Sequence, residues 1–437
     1  MKTKNRWLII NLLILCGFSL NAQDNLSLQD AIRTGLENNF GIRLVKMDVE
    51  IASNNNSIGN SGFLPKLNLT AAQSYSVTDS KQEFLTGQIN DRSGAKADAL
   101  NAGLQLNWTI FDGLRMFVRY DQLQQLEQKS ELQLLFTVEN TINSIHTTYH
   151  TLVQLMHQQK VLEKTLKIDN ERLKIASHKI ETGAGSRLEV LQAQVDMNTD
   201  SAAYFNLDDQ IGSSKINLNQ LLGRDPQLPF LVSDSIIINN LPVIEILIQQ
   251  MMERNTSLAL GRKDEQLAQI ALREIRGRQL PEIGFNLGYN FVNQNSESGF
   301  LIQNRSLGLT YSLNASMNLF NGFNTRREQQ NLQIQIESSR VRIESLENEL
   351  RANLERNYNS YSNKLRLIAM EKQNLLAANE NLDITAERFR LGDISGIEFR
   401  EAQRNYLQAE LRLLSVTLET KILETSLMQL AGILVTE

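Results

Sequence analysis

The nearest approach to metal chemistry in this chain is a run of three histidines, His146, His150 and His157, at steps of four and seven. That spacing puts the imidazoles on one helical face, where ligands could converge. No His-Glu-x-x-His accompanies them, so the run reads as a solvated or inter-helix stripe, with no metal and no cofactor expected. Gly183-x-Gly185 lacks the third glycine of a phosphate cradle and follows a helix, so phosphate binding is not supported. There is no Gly-x-Ser-x-Gly, and the single cysteine, Cys16, lies in a leader described below. Nothing here supplies a nucleophile, and the chain is not expected to be an enzyme. An exported metal-dependent enzyme rests on the histidine stripe alone.

The histidines sit on the element that dominates the sequence, a stretch over 114–181 with no proline and no glycine. Its apolar residues Leu135, Val138, Ile142, Ile145, Tyr149, Leu152 and Met156 recur at threes and fours, and Leu166, Leu173 and Ile180 at sevens. This is the seam of a coiled-coil-like helix. At 1.5 Å per residue it would be roughly 100 Å long, deeper than an ordinary globular core. A shift of 209 places lays Tyr149 on Tyr358, Leu152 on Tyr361, Met156 on Leu365, Leu166 on Leu375, Leu173 on Leu382 and Ile180 on Phe389. The chain is thus expected to contain two internal structural repeats.

The bulk properties agree with long elements. Of 437 residues, 41% are apolar, and the formal charge is −5. Residues 1–22 read as a signal peptide: Lys2, Lys4 and Arg6, an apolar run from Trp7 to Leu15, then Leu20-Asn21-Ala22 before the cut. Loss of those three cations takes the charge from −5 to about −8, which disfavours a nucleic-acid partner. The mature chain is left without a thiol. Lipidation of Cys16 is not expected, because Leu15 stands where a small residue is needed. Beyond the leader there is no run of about 20 apolar residues, so a membrane can be crossed only by strands.

Taken in order, repeat 1 covers 23–223. A helix from about Ser27 to Asn60 ends at Gly62 and Pro65. A strand over 67–77 alternates Leu67, Leu69, Ala71, Tyr75 and Val77 with polar residues. The polar run 78–101 is predicted as a surface loop, and a return strand over 102–111 carries Leu104, Leu106, Trp108 and Ile110. The long helix 114–181 and a helix over 188–222 follow. Residues 224–242 hold three of the five prolines and are predicted as a linker. Repeat 2 covers 243–437, with a helix, strands over 282–292 and 307–319 flanking a loop, a long helix 323–390 and a helix 397–432. Phe320-Asn321-Gly322 overlays Phe111-Asp112-Gly113.

Each strand is of the length a tilted membrane span requires and has one apolar face. Four strands cannot close a barrel, and open edges are not tolerated in lipid. Three chains would give twelve strands, while two would give a tighter barrel of eight. The expected fold is a mixed α and β membrane protein, a long α-helical barrel joined to a transmembrane β-barrel with four strands per chain and twelve in a trimer.

Several motifs now carry a resemblance. Leu26-Ser27-Leu28-Gln29-Asp30-Ala31 with Asn38-Asn39, Leu64-Pro65 before the first strand, Phe-Asp/Asn-Gly at 111 and 320, and Gly-x5-Glu-x3-Ala-Gln at 183 and 392 resemble the TolC family of outer-membrane efflux proteins. The likeness runs through nearly the whole mature chain in both halves. It implies a homotrimeric channel-tunnel in the outer membrane that extends into the periplasm, where its tip docks on a periplasmic adaptor (membrane fusion protein) joined to an inner-membrane transporter. On that resemblance the turns Gly183-Ala184-Gly185 and Leu391-Gly392-Asp393 are the periplasmic tip and adaptor contact. Glu398 and Glu401, three apart on one helical face, match positions that narrow the entrance; a solvated acidic helix start has the same composition. Glu189 matches an acidic member of the family's inter-helix lock. Its usual partners are replaced, with Phe389 at a tyrosine position and Ile394 at an arginine position, so Arg187 is the expected substitute.

The expected function is a passive conduit of a tripartite efflux or type I secretion system. The rival is a periplasmic coiled-coil adaptor without a pore, which would have one helical hairpin rather than two. The cargo, whether drug, metal ion or polypeptide, is not written in the sequence.

Overall fold

The computed structural model describes residues 24–232 and 235–435. The expected leader 1–22, with Cys16, lies outside them. In chain order the elements are β1 (Asp24–Asn25), α1 (Leu28–Asn38), α2 (Phe40–Asn55), α3 (Ile58–Ser61), β2 (Lys66–Glu83), β3 (Ile89–Phe111), α4 (Arg115–Glu181) and α5 (Arg187–Leu221). There follow β4 (Phe230–Leu231), α6 (Ile244–Arg254), α7 (Thr256–Gly277), β5 (Glu282–Ser296), β6 (Gln303–Ser316), α8 (Asn324–Leu391) and α9 (Gly396–Leu430). α4 and α8 are 67 and 68 residues long, and α5 and α9 are 35 each.

Two compact units can be described. The first comprises, among the described residues, 24–44, 135–256 and 347–435. Its core is the middle of the long-helix seam: Ile145, Tyr149 and Leu152 of α4 are buried against Leu207, Ile211 and Leu218 of α5 and Phe230 of the linker. Tyr149 keeps its hydroxyl satisfied there by donating to the Leu26 carbonyl at 2.8 Å. The linker is not bare coil, because β4 pairs in parallel with β1. Further along it, Asn239 donates from its backbone N–H to Glu424 of α9 at 3.1 Å.

One expectation is corrected in this unit: the helix predicted over 27–60 is interrupted at Asn39, which has extended ψ and caps both sides. Its Nδ2 donates to the Leu221 carbonyl at 2.8 Å and its Oδ1 accepts from the Ile42 N–H at 3.1 Å. A short polar side chain here offers the backbone an alternative to helix, which periodicity does not register. Asn255 makes the matching break between α6 and α7 and donates to Leu430 at 3.0 Å.

The second unit comprises Val45–Leu134 and Ser257–Leu346 and contains a four-stranded antiparallel sheet in the order β2-β3-β5-β6. The register aligns the apolar alternation across all the strands. Leu69, Leu104, Tyr289 and Leu309 form one row and Leu67, Leu106, Leu287 and Tyr311 the next. Asn68, Gln105, Gly288 and Thr310 lie in a row on the opposite face.

The loop predicted over 78–101 is a second correction. β2 continues to Glu83 and β3 starts at Ile89, leaving a turn closed by the Phe84 N–H to the Gln88 carbonyl at 2.9 Å. A bulge between Thr78 and Ser80 and the Asp79 carboxylate, which accepts from Ser93 at 2.6 Å and the Gly94 N–H at 2.7 Å, hold the polar part in register. Polar composition there reflects contact with water and not loss of pairing. In the other hairpin, β5 runs past the predicted end at 292 to Ser296, and β6 covers Gln303–Ser316 in place of 307–319.

Both strand-to-helix junctions use one device. Leu114 and Phe323, with φ of 67° and 61°, follow glycines that also have positive φ. Asp112 and Asn321 then accept from the N–H groups of Met116 and Thr325 at 3.0 and 3.5 Å. The strained residues precede the helices, so α4 and α8 start one residue later than predicted. Among the described residues no helix is long and apolar enough to cross a membrane.

Candidate gate and docking site at the hairpin ends

Within the first unit, α4 and α5 form one hairpin and α8 and α9 another. The turn of the first is closed by the Gly183 N–H to the Ile180 carbonyl at 3.0 Å and the Ala184 N–H to Lys179 at 2.8 Å. Gly392 and Asp393 repeat this with Phe389 and Arg388 at 3.1 and 3.0 Å. In each turn the glycine has a φ of 76° or 81°, the left-handed conformation such a helix stop demands. Both following helices begin with Ser-x-x-Glu: the Ser186 and Ser395 hydroxyls each accept from the N–H of Glu189 and Glu398 at 3.3 Å. Ala184, Leu391, Gly392 and Asp393 are exposed, and Asp393 pairs with Arg388 at 2.8 Å.

Behind the turns lies an aromatic contact that links α8 to α9. Phe389 and Phe399 stack at 5.0 Å with planes 5° apart, buried with Leu382 and flanked by Ile168 and Ile175 of α4. The Lys179 ammonium sits 4.8 Å from the Phe389 ring centre. Phe389, at the position where the resemblance places a tyrosine, has no hydroxyl to donate and is held by this stacking.

Next to this is a buried ionic cluster. Arg400 of α9 donates in a fork to Asp200 of α5 at 2.7 and 3.1 Å and approaches Asp169 of α4 at 3.4 Å and Asp196 of α5 at 3.6 Å. Arg172 of α4 pairs with Asp196 at 2.6 Å. Gln403 donates to Asp169 at 2.8 Å. Burial, reinforced by the neighbouring Asp200, pushes the Asp169 carboxyl up to about 6 despite Gln403 and Arg400.

The residues named from sequence are partly brought together. Glu398 and Glu401 are both exposed on the first turns of α9, but Glu401 is paired with Arg404 at 2.7 Å. Arg187 and Glu189 share the first turn of α5 and make no ion pair with each other. The polar contacts that join the two hairpins run instead from Arg400 and Gln403 of α9 to Asp169, Asp196 and Asp200, with Arg390 of α8 approaching Glu171 of α4 at 3.7 Å. Of these, sequence reasoning touched only Gln403, as the last letter of the second Gly-x5-Glu-x3-Ala-Gln.

The histidines lie away from the hairpin ends. His146 lines a cavity of about 740 Å³ with Ile32, Leu36, Met428 and the ion pair Lys421–Glu424. Burial, then the charge of Lys421, lowers its pKa to about 4. A cation beside a neutral imidazole is a poor setting for a metal ion. Among the described residues no group of three or more histidine, cysteine or acidic side chains has the geometry to hold one.

The comparisons with known proteins agree along the whole chain. The family described as outer membrane efflux protein matches residues 31–224 and 247–433. Outer membrane efflux protein BepC of Brucella suis biovar 1 (strain 1330) is 20% identical over 432 residues, covering 97% of this chain and 90% of BepC. Outer membrane protein TolC of Escherichia coli (strain K12) is 20% identical over 420 residues, covering 91% and 81%. The Campylobacter jejuni CmeC outer membrane channel superposes with a TM-score of 0.78 at 16% identity over 95% of this chain and 90% of that one. The chain belongs to the outer membrane efflux protein family, the TolC-like proteins of the outer membrane that extend into the periplasm.

Proposed function

We propose that three copies of this chain form a channel-tunnel that conducts substrates passively from a periplasmic or inner-membrane pump to the exterior. The observation that carries this is the open sheet. Its outward rows are apolar yet solvent-facing, with Leu69 and Tyr311 each 76% exposed, and among the described residues its edges β2 and β6 have no partner strand. In lipid such edges must pair. Since β2 and β6 run in opposite directions, β6 of one copy meets β2 of the next with the antiparallel alternation preserved. Twelve strands then seal a barrel, and two structural repeats per chain, 23–223 and 243–437 joined by the equatorial linker 224–242, supply the helical tube.

On this reading the exposed turns Gly183-Ala184-Gly185 and Leu391-Gly392-Asp393 meet a periplasmic adaptor, which couples the tube to an inner-membrane transporter. Glu398 and Glu401 ring the entrance, and Arg187 and Glu189, unpaired with each other in one chain, are available to a neighbouring copy. Outer-membrane lipid surrounds the strands. No catalytic step and no nucleic acid enters. A pore-less adaptor would leave the four-strand apolar rows without a purpose.

Membrane fractionation and planar-bilayer recording test the proposal. A detergent-extracted, heat-sensitive trimer with steady conductance is expected. A freely soluble monomer overturns it.

A further inference from the structure

We infer that Asp169 is a proton-binding site inside the clasp between the two helical hairpins, and that its protonation tightens the clasp and holds the tip closed in acid. The inference rests on the reading of the hairpin ends as the gate.

The argument starts from an orphaned atom. Asp169 is 1% exposed; its Oδ1 receives Gln403 and faces Arg400, while its Oδ2 is buried with no hydrogen-bond partner. An ionised carboxylate with a dry, unpartnered oxygen is costly, and a proton on that oxygen removes both the charge and the deficit. The surroundings do not cancel the charge. On the same helix Arg172 is committed to Asp196. From α5, Asp196 and Asp200 add two more carboxylates, and from α9 Arg400 spends its fork on Asp200. α8 contributes Asp383 and Arg390 to the neighbouring cleft that Arg172 also lines. Three carboxylates thus share two guanidiniums, and the least solvated of them is the one to take the proton.

The geometry makes that proton relevant to opening. Asp169, Asp196 and Asp200 belong to the α4–α5 hairpin, whereas Arg400 and Gln403 belong to α8–α9. Any displacement of one hairpin against the other separates these groups and returns Asp169 to water, where its pKa is near 3.9. Burial holds the clasped value at about 6. The clasped state therefore binds the proton more tightly, and acid favours it. By linkage the opening equilibrium falls about tenfold between pH 7 and pH 5.

Two measurements on the full-length protein decide the matter. Infrared difference titration of the detergent-solubilised protein should reveal the C=O band of one buried carboxylic acid that appears with a midpoint near pH 6 and is lost in D169N. Conductance in planar bilayers should fall on the same midpoint in the wild type. In D169N it should stay at the low acid level up to pH 7.5. No buried carboxyl titrating between pH 5 and 7, or a conductance step that survives in D169N, overturns the inference. Absence of any conductance refutes the channel reading instead, and the infrared titration still decides the proton site.

Discussion

Arg400 is the residue through which the hairpin ends are most tightly joined, and it is worth most when its partners are considered rather than the contact itself. Removing one member of a buried ion cluster leaves the others charged and dry, at about 3–5 kcal/mol. R400A is therefore expected to destabilise the first unit by that order, read by denaturant unfolding, with local hydrogen exchange rising in α5 and α9 first. His146 carries the opposite pH sign to Asp169. Its folded pKa of about 4 lies below the unfolded value near 6.5, so the unfolded chain takes the proton first and stability falls as pH drops from 6.5 towards 4. H146Q should abolish up to about 3 kcal/mol of that acid lability, seen as flattening of stability against pH in this window. At this scale the hairpin turns at Gly183 and Gly392 were legible, since a glycine interrupts each long helical period there. The ionic cluster was not, because Asp169 and Gln403 lie 234 positions apart and no local pattern pairs them.

Elements were legible where a single period runs long. The seam through Ile142, Ile145, Tyr149 and Leu152 is buried, and both long helices follow from heptads uninterrupted by proline. Legibility failed where a residue acts through its backbone. Asn39 stops a helix whose apolar pattern continues, and residues 78–101 pair as strand with side chains that read as loop. The sheet rows give an asymmetry that can be tested. Leu69 stands in the apolar row of β2 and Asn68 in the polar row. If the apolar rows meet lipid, L69R should cost about 2–4 kcal/mol near the bilayer midplane, whereas N68R faces the lumen and costs little. The yield of heat-sensitive trimer in outer membranes should drop sharply for L69R alone; equal yields would mean that the rows are not lipid-facing.

At the scale of the whole molecule the decisive step is closure of the sheet between copies. A sheet of four strands with free edges at β2 and β6 admits two rings, eight strands from two copies or twelve from three. The interface is heterologous, one edge against the other, so each copy uses both edges once the ring closes. Cross-linking can count the copies, because the natural sequence has one cysteine, Cys16, at the start of the chain. On a Cys16→Ser background, Thr70→Cys in β2 combined in turn with Ser306→Cys, Gly308→Cys or Thr310→Cys in β6 places a thiol on the polar face of each edge, and the three partners, two residues apart, sample the register. In the pairing that reacts, oxidation should give a ladder of one, two and three linked chains that stops at the covalent trimer, since the third bond consumes the last free edge. A ladder ending at two would assign the eight-stranded ring, and one continuing past three would mean that the edges do not close at all.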